Sequence, residues 1–289
     1  IPCLGIEPTA STAAAARTRG IEIVEDFFGV RLARELTAQG KQADLTAANN
    51  VLAHVPDIND FVAGFAELLK PQGVATFEFP HLLRLMAENQ FDTIYHEHFS
   101  YLSLTAVRRI FAHNGLAVFD VEELPTHGGS LRVFAQRTNA GARPVTPRVA
   151  EMLAREGTAG MATPGYYAGF QARADKIKND FLAFLIEAKK TGKKVAAYGA
   201  AAKGNTLLNY AGVRPDLLPW VVDRNPSKQG KYLPGSRIPI VDEGRLRAER
   251  PDYVVILPWN LREEVMAQLD YVRAWGGRFV TAVPELRVA

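Results

Sequence analysis

Between Cys3 and Gly40 the chain reads CLGIEP (3–8), TASTAAAARTRG (9–20), IEIVEDFF (21–28), then after Gly29 VRLARELTAQG (30–40). This stretch decides the fold class. A short apolar run ending in an acid is followed by a small-residue helix. A second apolar run then enters a loop before an amphipathic helix. Gly20 and Gly40 close the two helices, where the left-handed conformation costs glycine little. Working outward, ADLTAANNVL (43–52) reads as a strand. DINDFVAGFAELLKPQG (57–73) reads as a helix with an acidic or amide cap and a Pro-x-Gly exit. VATFEFP (74–80) is a buried-type strand. Strands alternating with helices at this spacing predict an α/β fold, a parallel sheet covered on both faces.

Beyond Tyr95 the pattern changes. SLTAVRRIFAHNG (103–115) is a capped helix, and LAVFDVEELP (116–125) and GSLRVFAQR (129–137) form an antiparallel hairpin at the sheet's end. The Pro- and Gly-rich stretch 139–165 reads as a linker with one weak helix. A helix over 166–190 leads into a second alternating unit. Its strands lie in KKVAAYGA (193–200), LPWVVDRNP (218–226), DYVVILPWN (252–260) and RFVTAVPEL (278–286). Its helices are KGNTLLNYAG (203–212) and LREEVMAQLDYVRAWGG (261–277). The expected domains are 1–138 and 139–289.

A chain of 289 residues suits two domains, and 47% hydrophobic with 22% charged residues is ordinary for a folded protein. No run reaches the ~20 apolar residues of a membrane helix. The single cysteine, Cys3, excludes a disulfide scaffold and a multi-cysteine zinc site within this chain. With no signal peptide in view, a cytoplasmic location is expected. The opening IPCLGIEP lacks Met and reads as the inside of a strand, so a fragment is expected. Residues 1–138 carry 11 Lys+Arg against 16 Asp+Glu, a balance of −5, which leaves 23 against 15, or +8, for the remainder. All six histidines lie in the acidic half. Such a division suits a phosphate-bearing ligand on one side and proton chemistry on the other, or is only a difference in surface charge.

Several residues stand where chemistry is done. Glu7, an acid at a strand end, is placed to accept from ribose hydroxyls, or else it caps a helix. Asp26 and Phe27 follow the next strand, and Phe27 reads as an adenine contact or as core. Asn49 and Asn50 are consecutive amides at a strand end, costly there unless hydrogen-bonded. FDTIYHEHFSYLS (91–103) packs Tyr95, His96, Glu97 and His98 into four residues, a density suited to acid–base work in a cleft. A metal pair at His96 and His98 or a structural cluster are the alternatives. GAAAKGNTLLNY (199–210) fails the P-loop pattern, since Asn205 stands where Lys is required. It also fails the dinucleotide fingerprint, since Ala201 replaces the second glycine. A small-residue turn opening a helix still offers free N–H groups, with Lys203 beside them. Asp223 ends the next strand, before a loop with Lys228 and Lys231.

Taken together, GIEP, AANNVLAHVPD, YHEHFSYLS, LPTHGGSLR, YGAAAKGNTLLNY and DRNPSKQGKYLPGSRIPI resemble the bacterial deoxysugar C-methyltransferases. These methylate a nucleotide-linked keto-sugar with S-adenosylmethionine, and the resemblance runs along essentially the whole chain. It implies a truncated Rossmann-like class I methyltransferase domain followed by a second Rossmann-like α/β domain. The family's zinc domain and first strand, with its glycine-rich loop, are absent here, so zinc belongs to that missing part and no metal to this one. The resemblance makes His98 the base that removes a proton alpha to a ketone. Tyr95, Glu97 and His54 orient the sugar, tune the base or stabilise the enolate. Glu7, Asp26, Phe27, Asn49 and Asn50 fall on the cofactor side, with S-adenosylhomocysteine as product. Tyr198, Lys203, Asn205 and Lys228 fall near the nucleotide diphosphate. A monomer acting on a small molecule, without nucleic-acid or membrane partners, is expected. The competing readings are an O- or N-methyltransferase, a nucleotide-binding module and a nicotinamide-dependent oxidoreductase.

Overall fold

The computed structural model of the chain describes residues 1–289. Its first elements are β1 (Leu4–Ile6), α1 (Ala10–Arg17), β2 (Glu22–Val24), α2 (Val30–Ala38), β3 (Ala43–Asn49), α3 (Ile58–Leu68) and β4 (Leu69–Pro80). There follow α4 (Leu82–Ala87), α5 (Leu104–His113), β5 (Leu116–Leu124), β6 (Ser130–Arg137) and α6 (Pro147–Ala159). The rest comprises α7 (Phe170–Lys190), β7 (Val195–Tyr198), α8 (Ala202–Tyr210), β8 (Val221–Val222) and β9 (Ile240–Val241). It ends with α9 (Gly244–Glu249), β10 (Tyr253–Ile256), α10 (Arg262–Gln268), β11 (Arg278–Thr281) and β12 (Arg287–Val288).

These elements form two α/β units that interleave in sequence. The first holds Ile1–His81, His98–Pro125 and Gly129–Ala159; the second holds Leu82–Glu97, Thr126–Gly128 and Gly160–Ala289. The expected single boundary at 138/139 is therefore replaced by several. One reason is α6, which is no linker helix: it buries Val149 and Met152 in the first unit's core. The other is the strap Leu82–Glu97, whose Phe91 lies in the core of the second unit.

In the first unit β1 and β2 run parallel with Ile6 opposite Val24, so Glu7 and Asp26 leave the pair at the same end. A separate sheet has the order β3-β4-β6-β5, with β3 and β4 parallel and the other pairs antiparallel. The hairpin β5–β6 is present as expected, but of its two strands β6 is internal and β5 lies at one edge of the sheet, opposite β3. Alternate residues of β4 (Ala75, Phe77, Phe79) are fully buried, the two-residue period of a strand with one face on a core. Phe77 meets Phe65 and Phe111 edge-to-face, each at 4.7 Å between centroids. Asp57 caps α3 by accepting from the N–H groups of Asn59 and Asp60, an arrangement worth about 1 kcal/mol.

The second unit is a six-stranded sheet in the order β12-β11-β10-β7-β8-β9, parallel except for β12. Along β7, Val195 and Ala197 enter one core and Ala196 and Tyr198 the other, so both faces are covered. The chain runs from β7 outward to β9, then returns to place β10 on β7's other side. Strand order thus reverses between β7 and β10, the switch point at which doubly wound sheets open a crevice. The loops there touch: a Cβ on Gly199, whose φ is +91°, would lie 2.4 Å from Pro258. The helix expected over 261–277 stops at Gln268 and tightens into a 3-10 turn over Asp270–Trp275.

Candidate active site

At the ends of β1, β2 and β3 the first unit gathers polar groups. Glu7 accepts from the N–H of Thr9 at 2.7 Å, which ties down the start of α1. Asp26 accepts from Arg31 Nη2 at 2.6 Å and from the Phe27 N–H at 2.7 Å. These two partners, the guanidinium first, hold its carboxyl below the usual carboxylate range. The Phe27 ring is 76% exposed, which removes the core reading of this residue. Asn49 is exposed. Asn50 turns the chain after β3 with φ +55° and donates its N–H to the Glu78 carbonyl at 2.7 Å. Its side-chain oxygen is buried without a hydrogen-bond partner. Such an atom costs about 1–3 kcal/mol until a donor reaches it.

His98 also belongs to the first unit. Its ring meets that of His54 edge-to-face at 4.6 Å, and Tyr101 lies 5.8 Å away. The backbone accounts for this meeting. His54 ends a 3-10 turn, Leu52–His54, after β3, and the carbonyl of Ala53 in that turn accepts from Phe99 and Ser100 at 2.8 and 3.3 Å. The loop after His98 is thereby fastened to the turn that carries His54. Tyr95, His96 and Glu97 fall in the second unit, with Tyr95 half-buried and the other two exposed.

The other four predicted residues lie in the second unit. Tyr198 is buried, and its hydroxyl accepts from Gln268 Nε2. Lys203 is half-buried against Trp259 and Asn260. Its Nζ lies 4.6 Å over the Trp259 ring and donates to Asn260 Oδ1 at 2.8 Å. Burial lowers its pKa, partly offset by the charge of Asp92. Lys228 Nζ donates to the Ala200 carbonyl at 2.9 Å and to Asp223 at 3.2 Å. Asp223 in turn accepts from the N–H groups of Ala200 and Asn225. Helix α8 has no side-chain cap, and Asn205 Oδ1 is buried without a partner.

Sequence reading passed over Asp92, Trp259 and Asn260. Trp259 donates its indole N–H to Asp92 at 2.7 Å, and Asp92 is fully buried. The available signals were an acid inside the apolar run FDTI and a tryptophan three residues beyond β10.

Residues 125–284 match the family model for the C-methyltransferase C-terminal domain, and residues 2–121 match one for a methyltransferase domain. The C-methyltransferase NovU of Streptomyces niveus is 38% identical over 285 residues, covering 99% of this chain and 68% of NovU. The chain belongs to the S-adenosylmethionine-dependent C-methyltransferase family. Among solved structures, this C-methyltransferase is similar to a SAM-dependent methyltransferase from Thermotoga maritima. The identity is 16%, over 46% of this chain and 72% of that one, with a TM-score of 0.37. It is also similar to the magnesium protoporphyrin IX methyltransferase of Synechocystis PCC 6803, solved with bound SAM. There the identity is 14%, over 47% and 59% of the two chains, with a TM-score of 0.34. The C-methyltransferase has no helix long and apolar enough to cross a membrane, and no group of three His, Cys, Asp or Glu side chains suited to a metal ion.

Proposed function

We propose that this C-methyltransferase methylates the carbon alpha to the ketone of a nucleotide-linked deoxysugar, by way of an enolate. The observation that carries the reading is His98 packed against His54 and Tyr101. Methylation at such a carbon requires that a proton leave first, and a histidine is suited to take it near neutral pH. His98 is that base. The edge-to-face contact with His54 fixes the plane of its ring, and Tyr95 and Glu97 orient the sugar or stabilise the enolate oxygen.

The residues of the first unit fit S-adenosylmethionine. When bound, it supplies an electrophilic methyl group on a sulfonium. Glu7 would accept from the ribose hydroxyls, the exposed Phe27 ring would meet the adenine, and the unpartnered oxygen of Asn50 would receive a donor. Asp26 and Asn49 flank that group. In the second unit the uncapped α8 supports a nucleotide diphosphate nearby, and the buried oxygen of Asn205 accepts from a hydroxyl of the same ligand. Lys203 and Lys228 exchange Asn260 and Asp223 for phosphate oxygens, and Tyr198 contributes shape from the core. The same reading makes the protein a cytoplasmic monomer with a small-molecule substrate, without nucleic-acid or membrane partners.

The test is His98→Asn, measured on a nucleoside-diphosphate keto-deoxysugar. The loss in kcat should be ~10²–10⁴-fold, the usual scale for a positioned base. Wash-out of deuterium from the alpha carbon, followed without methyl donor, should fall in parallel. Exchange at the wild-type rate would remove His98 as the base.

A further inference from the structure

We propose that Asp92 is a positioning residue for this reaction: through Trp259 it fixes the strap Leu82–Glu97 on the second unit, and with it the places of Tyr95 and Glu97. The proposal rests on the reading of Tyr95 and Glu97 given above and adds a residue that reading does not use.

Much of the strap is held by ordinary means. Phe91 enters the core, Gln90 donates to the Gly128 carbonyl at 2.7 Å, and Arg173 donates to Asn89 at 2.8 Å. Asp92 is different. A carboxyl group sealed from solvent costs free energy wherever one of its oxygens is left unpaired. Oδ2 accepts the indole N–H of Trp259, whereas Oδ1 has no partner. Trp259 is fixed on its other sides as well. A Cβ on Gly128 would lie 2.4 Å from its ring, so only glycine allows that approach. Lys203 lies across its face, held by Asn260.

The indole therefore joins two groups of residues at the switch point of the sheet. On its edge is the strap that ends in Tyr95 and Glu97, three and five residues beyond Asp92. On its face is Lys203. The strap is short, and Tyr95 and Glu97 lie within its last three residues. Thr93 and Ile94 donate backbone N–H groups to the carbonyls of Gln90 and Phe91, closing the short turn that contains Asp92. Loosening Asp92 moves the side chains that follow it without touching the methyl donor's residues in the first unit.

The experiment uses the whole chain and four variants: Asp92→Ala, Asp92→Asn, Trp259→Phe and the double Asp92→Ala/Trp259→Phe. Hydrogen exchange over residues 90–97 is read without substrate. Asp92→Ala and Trp259→Phe should each lose protection there. With a nucleoside-diphosphate keto-deoxysugar, each should lose about tenfold or more in kcat while KM for S-adenosylmethionine stays within about twofold. The double variant should be no worse than either single one, because both remove the same bond. Asp92→Asn keeps an acceptor for the indole and should restore both protection and turnover. Should Asp92→Ala not fold, Trp259→Phe keeps the ring without its N–H and reads the same bond. A loosened strap with wild-type kcat overturns the proposal, as does a fall in thermal midpoint alone. Wild-type turnover in Glu97→Gln would instead overturn the role given to the motif.

Discussion

Glu156 accepts a hydrogen bond from His81 Nε2 at 2.8 Å, and both side chains are sealed from solvent. The same carboxylate accepts from the N–H groups of Leu104 and Thr105 and from the Thr105 hydroxyl, at 2.6, 2.8 and 2.6 Å. One side chain on α6 thus satisfies the donors that the start of α5 leaves without a helical partner and fastens the residue that follows β4.

Removing Glu156 leaves four donors without an acceptor in the first unit. Glu156→Ala should destabilise the protein by about 3–5 kcal/mol, the scale of several buried donors left unsatisfied. Glu156→Gln should cost less. Burial alone would raise this carboxyl, but the bonds from His81, Thr105 and Leu104 outweigh it and hold its pKa below 4.5. Its contribution is therefore present above that value and lost as pH falls through the lower, folded-state value. Urea denaturation of wild type and Glu156→Gln at neutral and acidic pH checks the sign: their difference should shrink in acid.

Asp92 should show the opposite sign. Burial pushes its carboxyl up to about 7, against the Trp259 hydrogen bond and the charge of Lys203. Between 3.8 and about 7 the folded chain keeps a proton that the unfolded chain has released. The stability present below 3.8 is therefore lost as pH rises through about 7. Asp92→Asn cannot ionise, so its unfolding midpoint should gain on wild type from pH 5 to pH 8. Calorimetric scans showing a constant gap would contradict the assignment.

For the methyl donor, titration with S-adenosylhomocysteine separates two contacts. Glu7→Ala should weaken binding roughly tenfold or more, since a charge-assisted hydrogen bond is worth ~1.5–3 kcal/mol. Phe27→Ala should cost only a few-fold, about 0.5–1.5 kcal/mol for a ring contact. Glu7 also holds the Thr9 N–H. A thermal melt of each variant distinguishes lost affinity from a loosened α1.

Asn50 separates backbone from side chain. With φ at +55°, Asn50→Gly should keep the fold. Asn50→Val should destabilise it by roughly 1–2 kcal/mol, because a β-branched residue resists the left-handed region. Both should bind S-adenosylhomocysteine more weakly than wild type, since both lose the amide. Wild-type affinity in Asn50→Gly would show that the amide meets no ligand.

The alternation of strands and helices was legible because burial on two faces leaves a repeating trace. So was the crowding at 95–98, although nothing local showed that Ala53 would fasten His54 beside His98. Helix α6 was obscured by Pro147 and Gly157, which read as breakers. Yet Pro147 is the first helical residue, where proline is at home, and Gly157 lies in the last turn. The inward turn of Lys203 was not legible, because it depends on Trp259 and Asn260, far along the chain. The strap's attachment had no signal of spacing at all: Asp92 and Trp259 are 167 residues apart.

That separation sets an order of events at the ribosome. The strap emerges long before the sheet that receives it, whose strands begin at Val195 and whose docking tryptophan follows β10. At roughly 5–20 residues per second, Asp92 waits on the order of ten to thirty seconds for Trp259. During that interval Phe91 and its neighbours have no core to enter, while the first unit has all its residues by Ala159. The nascent chain must therefore fold the first unit around a loop that is still unattached, and a chaperone that shields apolar segments would find it there.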